Sequence, residues 1–191
     1  MELSNGFEIE QQGRTTIIRF IRTRIRNPLS VEVLEGMTAF LSGTSAEVLV
    51  FTGSEDVFAS GADLREIARV DGSNAVEFAE RGQSLMSLIA SPRIYTIAAV
   101  NGYCYGGALD LALACDSRIA SPNAEFCHPG AGLGIMTGWG GTQLLPRVVG
   151  EAAAFEMFLT GKRVSAVEAK RIGLVDEIAD DPANAAIDLY P

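Results

Sequence analysis

The 191-residue chain has one histidine and three cysteines, and this scarcity closes off several chemistries. Cys104, Cys115 and Cys127 are odd in number and show no CxxC spacing, and His128 alone does not complete a zinc set with them. Neither a disulfide scaffold nor a metal site is expected, and free thiols suit a reducing compartment. No uninterrupted apolar run approaches the roughly 20 residues that span a bilayer. Met1 to Phe7 also lacks a basic stretch followed by an apolar one. The expectation is a cytoplasmic protein with no membrane partner. Positive charge is short too: 15 Lys and Arg stand against 24 Asp and Glu, a formal net charge of −9. That sign is wrong for gripping a phosphate backbone, so nucleic acid drops out as a partner.

What is present fits one globular domain, with 48% hydrophobic and 20% charged residues. A chain of this length buries roughly 70% of the surface it exposes when unfolded, enough for a core without staples. Residues 1–179 are expected to form that domain and 180–191 a short acidic C-terminal tail. Charge is uneven along the way. Arg14, Arg19, Arg22, Arg24 and Arg26 crowd into the first 30 residues, whereas residues 31–80 hold two arginines against ten acids. Such an arginine stripe suits either a small polyanion or, more plainly, a solvated strand face or subunit contact.

Strand and helix signals alternate. Phe7–Gln11 and Thr15–Ile21 flank Gly13 as a hairpin. Ser30 is an N-cap for a helix carrying Val33, Leu34, Met37, Phe40 and Leu41, stopped by Gly43. Glu47–Gly53 and Ile94–Val100 read as buried parallel strands. Each feeds a small-residue turn, Phe58–Leu64 and Asn101–Gly107, and then a helix. Residues 73–90 are helical before Ser91-Pro92, and Ala108–Ala114 is strongly helical in composition. Short strands follow over Ser117–Phe126, then a loop with six glycines between Gly130 and Gly141. Helices are expected at 142–149, 151–160 and 165–172, with Gly161 and Gly173 as stops, and Leu174–Ile178 as a last strand. The alternation argues an α/β protein with right-handed crossovers.

Both Gly-rich turns end a strand, admit close backbone approach and open a helix whose first N–H groups are unpaired. Two of them side by side aim two amides at one oxygen, an oxyanion hole for a carbonyl such as a thioester passing through an enolate. Packing glycines, or a phosphate at a helix N-terminus, are the other readings. There is no P-loop and no full GxGxxG.

Several motifs then resemble the crotonase, or enoyl-CoA hydratase/isomerase, superfamily. They are Phe58-Ala-Ser-Gly-Ala-Asp-Leu64, Ile97-Ala-Ala-Val-Asn-Gly102 with Gly106-Gly107, Ala114-Cys-Asp116, and Gly138-Trp-Gly-Gly-Thr-Gln143. Leu159-Thr-Gly161, Ser165-Ala166, Glu168-Ala169 and Gly173-Leu-Val175 continue the likeness, which runs from about Gly6 to Ile178. The resemblance implies a spiral of repeated ββα units, acyl-CoA substrates with coenzyme A as part of the substrate and no other cofactor, and homotrimers or hexamers. It places the oxyanion donors at the Ala62 and Gly107 amides and the CoA-contacting stretch at Ala62, Asp63, Leu64 and Arg65. The family's usual C-terminal helical region is expected to be short or missing.

The pattern departs from the family at its two carboxylates. A hydratase of this type has one Glu three positions after the second oxyanion glycine and another ending a Phe-x-x-Pro-Glu stretch. Here those positions hold Asp110 and Gly130. A shortened carboxylate is misplaced by more than an ångström, which costs on the order of 100-fold in rate, and glycine supplies no acid or base. Asp110 is either a base with its pKa raised by burial or an ordinary acid in a helix first turn. His128, two residues before Gly130, is either an acid-base group or a structural histidine. Tyr105, Cys104, Gly130 and Trp139 are candidate pocket residues. The leading expectation is an enolate-stabilising hydratase or isomerase. The alternatives are an acyl-CoA decarboxylase or thioesterase on the same fold, a non-catalytic acyl-CoA binder, and, more distantly, a phosphate-binding module.

Overall fold

In the computed structural model residues 6–91 and 93–189 are described. The N-terminal segment read above for a leader, the helix stop at Pro92 and the last two residues of the expected tail lie wholly or partly outside them.

The chain opens with β1 (Phe7–Gln12) and β2 (Thr15–Phe20), paired antiparallel from Phe7↔Phe20 to Gln12↔Thr15 about Gly13, whose φ of 58° makes the turn. A 3-10 turn (Thr23–Ile25) leads to β3 (Pro28–Leu29), and α1 (Val31–Gly43) starts where the Ser30 side chain accepts from the Val33 N–H. Then come β4 (Val48–Thr52), β5 (Val57–Ala59), β6 (Gly61–Ala62), α2 (Leu64–Ile67) and α3 (Ala75–Ile89). The next unit is β7 (Tyr95–Val100), β8 (Tyr103–Tyr105) and α4 (Gly107–Ala114), and after it β9 (Ser117–Ala120), β10 (Glu125–Cys127) and α5 (Gly130–Leu133). The chain continues through α6 (Gly141–Val149), α7 (Glu151–Thr160), β11 (Val164–Ser165), α8 (Ala166–Arg171), β12 (Glu177–Ile178) and α9 (Pro182–Asp188).

Successive strand pairs split between two sheets. β4, β7 and β9 lie side by side and parallel in a six-stranded sheet of order β1-β2-β4-β7-β9-β12. Their followers β5, β8 and β10 pair in a second sheet of order β11-β10-β8-β5, and β3 pairs with β6 in a third. Each turn of the spiral thus gives one strand to each main sheet and then a helix, the ββα repeat of the crotonase-like fold. After β4 and β7 the chain leaves the first sheet for the second at Gly53 and Gly102. A Cβ at Gly102 would lie 1.7 Å from the Asp56 carbonyl oxygen, so only glycine lets the two backbones pass there.

The central strands β2, β4 and β7 of the large sheet are buried on both faces, as two-sided apolar strands require. Alternation with period two sends Ile18, Phe20, Leu49, Phe51, Ala98 and Val100 into the main core under the helices. It sends Ile17, Val48, Val50, Ile97 and Ala99 to the other face, where α9 lays Ala186 against them. This corrects the expected acidic tail. Asp181 caps α9 through the Asn184 N–H, Pro182 sits in its first turn, and its apolar side shields a sheet face that water would otherwise wet.

Three further expectations change. The turn Asn101–Gly107 contains β8, a strand of three residues, too short for periodicity to reveal. The Gly-rich loop holds the helical turn α5, closed by Gly134 at φ 69°. The last strand shrinks to Glu177–Ile178, because Leu174 and Val175 turn into the core directly after α8.

Trp139 locks α3 to α4. Its indole lies where a Cβ on Gly82 would come within 2.2 Å and a Cβ on Gly107 within 2.3 Å. Gly82→Ala is therefore expected to lower stability by about 1–3 kcal/mol through overpacking, against the ~1 kcal/mol that alanine gains in a helix interior. Gly43→Ala, with open space at its Cβ, is expected to leave stability unchanged or raise it by up to about 1 kcal/mol. Urea unfolding followed by the fluorescence of the single Trp compares the two; equal effects would show that the indole does not fill the Gly82 position.

Candidate functional site

The second and third sheets bring the two Gly-rich turns into contact. A Cβ at Gly61, whose φ is 84°, would stand 2.5 Å from the Tyr105 carbonyl oxygen and 2.7 Å from the Gly107 nitrogen. Asn27 helps hold β6 there. It is buried, adopts φ 48°, and its side-chain amide donates to the Val57 and Phe58 carbonyls at 3.1 Å, placing β3 for its parallel pairing with β6. Gly107 is the first residue of α4, so its N–H has no helical carbonyl one turn behind it.

A cavity of about 240 Å³ opens at this junction. Ala62 and Gly107 are on its wall, together with Ser60, Gly106, His128, Gly130, Thr137 and Trp139. Leu64, Phe78, Leu133, Ile135, Met136 and Phe158 make the remainder strongly apolar. Such a cavity fits an apolar group whose one polar end meets the two turns.

Asp110 lies just behind this wall with no exposed surface, because α4 is buried on every side from Ala108 to Ala114. The Thr137 hydroxyl donates to its Oδ2, and the Trp139 and Gly141 amides also donate to the carboxylate. Burial nevertheless raises its pKa to about 7. Its other oxygen, Oδ1, has no hydrogen-bond partner and faces the His128 Nε2 at 3.4 Å; that nitrogen is equally unpartnered. Burial lowers His128 to about 4, so its ring is neutral at pH 7, and it packs against Phe158 with ring centroids 4.9 Å apart. Gly141 is required here as well, since a Cβ would lie 2.1 Å from Asp110 Oδ1.

The remaining sequence candidates divide. Leu64 is on the cavity wall and 57% exposed. Trp139 presents an edge to the cavity but is otherwise buried between α3 and α4, tilted on Phe78. The position of Gly130 is not an open slot, because a Cβ there would meet the Ile135 carbonyl oxygen at 2.4 Å. Asp63 and Arg65 lie off the wall. The Asp63 side chain caps α2 and pairs with the exposed Arg65 at 2.6 Å, a hydrogen bond that holds its carboxyl below the usual range.

Tyr105 is a correction, since its hydroxyl turns away and donates to Glu125 on the neighbouring strand β10. Cys104 is a second, being buried off the cavity wall with its thiol pushed well above 9.0 by desolvation, too high for a nucleophile. The arginine stripe does not converge on the cavity. Arg14 pairs with Glu47, Arg19 with Glu8 and Arg22 with Glu32. Thr137 and Gly141 escaped the sequence reading, because nothing in a loop of six glycines marks which residue meets a carboxylate. Among the described residues no cluster of His, Cys, Asp and Glu is arranged to hold a metal, and no helix is long and apolar enough to cross a membrane.

A ββα spiral with an apolar cavity at two abutting Gly-rich turns defines the crotonase class. Residues 10–185 match the family described as Enoyl-CoA hydratase/isomerase. The crotonyl-CoA hydratase of Syntrophomonas wolfei is 38% identical over 175 residues, covering 89% of this chain and 67% of that protein. The short-chain-enoyl-CoA hydratase of Clostridium acetobutylicum is 36% identical over 185 residues, covering 94% and 70%. Among solved structures, Pseudomonas aeruginosa DspI superposes with a TM-score of 0.91 at 35% identity over 99% of this chain and 80% of its own. A Thermobifida fusca protein of the enoyl-CoA hydratase type, solved in complex with acetoacetyl-CoA, gives 0.87 at 29% identity over 97% and 78%. The chain belongs to the enoyl-CoA hydratase/isomerase family and is an enzyme of that family.

The raised Asp110 carboxyl carries a pH signature. A folded-state value of about 7 against an ordinary 3.8 means that its contribution to stability is present below about pH 4 and is lost as pH rises through 7. His128 runs the other way, contributing above 6.5 and losing that contribution as pH falls through about 4. Comparing Asp110→Asn with the parent isolates the first effect. The variant is expected to gain stability relative to the parent as pH rises from 4 to 8, by an amount on the order of 1 kcal/mol or more, in urea titrations. A constant gap across that range would contradict a raised Asp110.

Proposed function

We propose that the protein acts on acyl-CoA thioesters, stabilising the thioester enolate between the Ala62 and Gly107 amides, and that it hydrates or isomerises enoyl-CoA. The observation that supports this reading is the close apposition of the two turns at the cavity, which brings Ala62 and Gly107 from different elements to one wall. Aimed at a developing oxyanion, a single donor of this kind contributes about 3 kcal/mol to the transition state. The apolar wall suits the acyl chain. The stretch Ala62 to Arg65, leading out to an exposed guanidinium, suits the CoA moiety. His128 on the wall and Asp110 behind it are the acid-base groups, and the nucleotide is part of the substrate, so no other cofactor is invoked. The names of the hydratase relatives and the acetoacetyl-CoA bound by the Thermobifida fusca neighbour support the substrate class. We further propose a cytoplasmic homotrimer or hexamer working in fatty acid metabolism, as the family resemblance implies.

Gly130 favours a second reading. With no second carboxylate and a carbonyl where a side chain would leave the backbone, the site lacks the pair that holds a hydrating water in the two-glutamate enzymes. Decarboxylation creates the same enolate without that pair. Crotonyl-CoA absorbance separates the readings. Loss of the conjugated-thioester band in the parent, slowed about 100-fold by Asp110→Asn, is expected for hydration. An unchanged band with CoA still bound, together with CO2 release from a malonyl-type thioester, would replace hydration by decarboxylation. Gly130→Glu is expected to restore nothing: its Cβ collides with Ile135, so both rate and thermal midpoint should fall rather than rise.

A further inference from the structure

Among the described residues lining the cavity, His128 is the only one with a titratable side chain. Asp110, which stands at the family's first carboxylate position, is fully buried and does not reach the wall. Three donors, the Thr137 hydroxyl and the Trp139 and Gly141 amides, hold its carboxylate, and Oδ1 is left unpartnered opposite the His128 Nε2 at 3.4 Å. Two buried polar atoms without partners, facing each other, are costly unless they meet when the site is occupied. Catalytic hydrogen bonds are commonly long in an empty site and tighten around substrate. Because Nε2 is shielded from solvent and turned to Asp110, the nitrogen that His128 has left for a ligand is Nδ1.

We propose that His128 is the catalytic residue that exchanges a proton with the bound acyl chain, and that Asp110, pinned by Thr137, is a positioning residue acting through it. The proposal rests on the acyl-CoA reading. In the step, the Nδ1 lone pair takes the α-proton. The Cα–H electron pair becomes the Cα=C1 bond of the enolate, and the thioester C=O pair moves onto oxygen between the Ala62 and Gly107 amides. The imidazolium so formed is shielded from water, and its Nε2–H points at Asp110, which supplies the opposite charge. Returning the proton from Nδ1 to Cα, or to Cγ for a double-bond shift, regenerates the neutral ring. Two groups in series thus replace one carboxylate in contact with substrate.

The test uses butyryl-CoA in D2O at pD 8, with binding followed by calorimetry and α-proton exchange by NMR. His128→Gln is expected to bind butyryl-CoA like the parent and to exchange at least about 100-fold more slowly. Asp110→Asn should also slow exchange, and the double variant should be no slower than His128→Gln, because the two act as one unit. In His128→Ala, added imidazole should restore part of the exchange, which a merely structural histidine would not allow. The parent supplies a readout that needs no variant. As the sole histidine, His128 has an unambiguous ¹⁵N spectrum, expected to show the proton on Nε2 and an unprotonated Nδ1. Undiminished exchange in His128→Gln, additive losses in the double variant, or the opposite tautomer would overturn the assignment while leaving the acyl-CoA reading intact, as would binding to the parent without any exchange. Failure of the parent to bind butyryl-CoA would overturn both.

Discussion

The close passage of β6 over the start of α4 is the constraint on which the site depends. At Gly61 the two backbones approach to a separation that excludes even a methyl group, so any side chain there would prise the two turns apart. The approach is produced by topology: β5 and β8 are parallel neighbours in one sheet, and the residues that follow each are carried to the same end of it. Trp139 then braces the arrangement from behind. Its indole occupies the space that Gly82 and Gly107 leave empty, so a glycine on the cavity wall is also the glycine that admits the wedge. One residue, Gly107, therefore belongs both to the packing and to the cavity wall.

Electrostatics follow from the same geometry. A helix buried all round is a poor place for a carboxylate, and Asp110 is tolerated in α4 because three donors from the loop and the start of α6 converge on it. Those donors pull its pKa down while desolvation pushes harder the other way, leaving it near neutrality, where a group changes charge most easily. His128, pressed against Phe158 and largely cut off from water, is moved in the opposite sense. The result is a pair with no net obligation to carry charge until something enters the cavity.

Much of this was legible in the residues. The strand and helix alternation, the Ser30 cap, the stops at Gly43 and Gly161 and the two Gly-rich turns all come from local chemistry that survives folding unchanged. What the sequence hid was long-range. A three-residue strand such as β8 has no period to detect, and its pairing with β5 and β10 is a property of the spiral. The α9 helix carried a readable signal in Asp181-Pro182, an N-cap followed by a first-turn proline, but its acidic surroundings suggested a solvated tail. Only the two-faced apolar strands show why it must pack. Tyr105 departs from the pocket expectation because a three-residue strand hides its own alternation: Cys104 points into the core, and Tyr105 points to the other side, toward Glu125. Thr137 was invisible for a different reason, since its partner Asp110 lies 27 residues away on another element.

The replacement of a second carboxylate by Gly130 is best understood together with the residues around it. The Ile135 N–H donates to the Gly130 carbonyl at 3.0 Å, closing the loop back on itself and bringing the Ile135 carbonyl to where a side chain would start. That closure places Leu133, Ile135 and Met136 on the cavity wall, so the site exchanges a charged group for apolar surface. A water held for addition to a double bond needs two polar anchors, and this wall supplies fewer of them than a two-glutamate site. Proton transfer at carbon needs only an oxyanion hole and one base that stays neutral until it reacts. A dry wall favours that chemistry, because each electrostatic contact to the enolate strengthens as water is excluded. On the proposed acyl-CoA reading, the glycine, the closed loop and the neutral histidine therefore favour proton transfer at carbon over addition of a bound water.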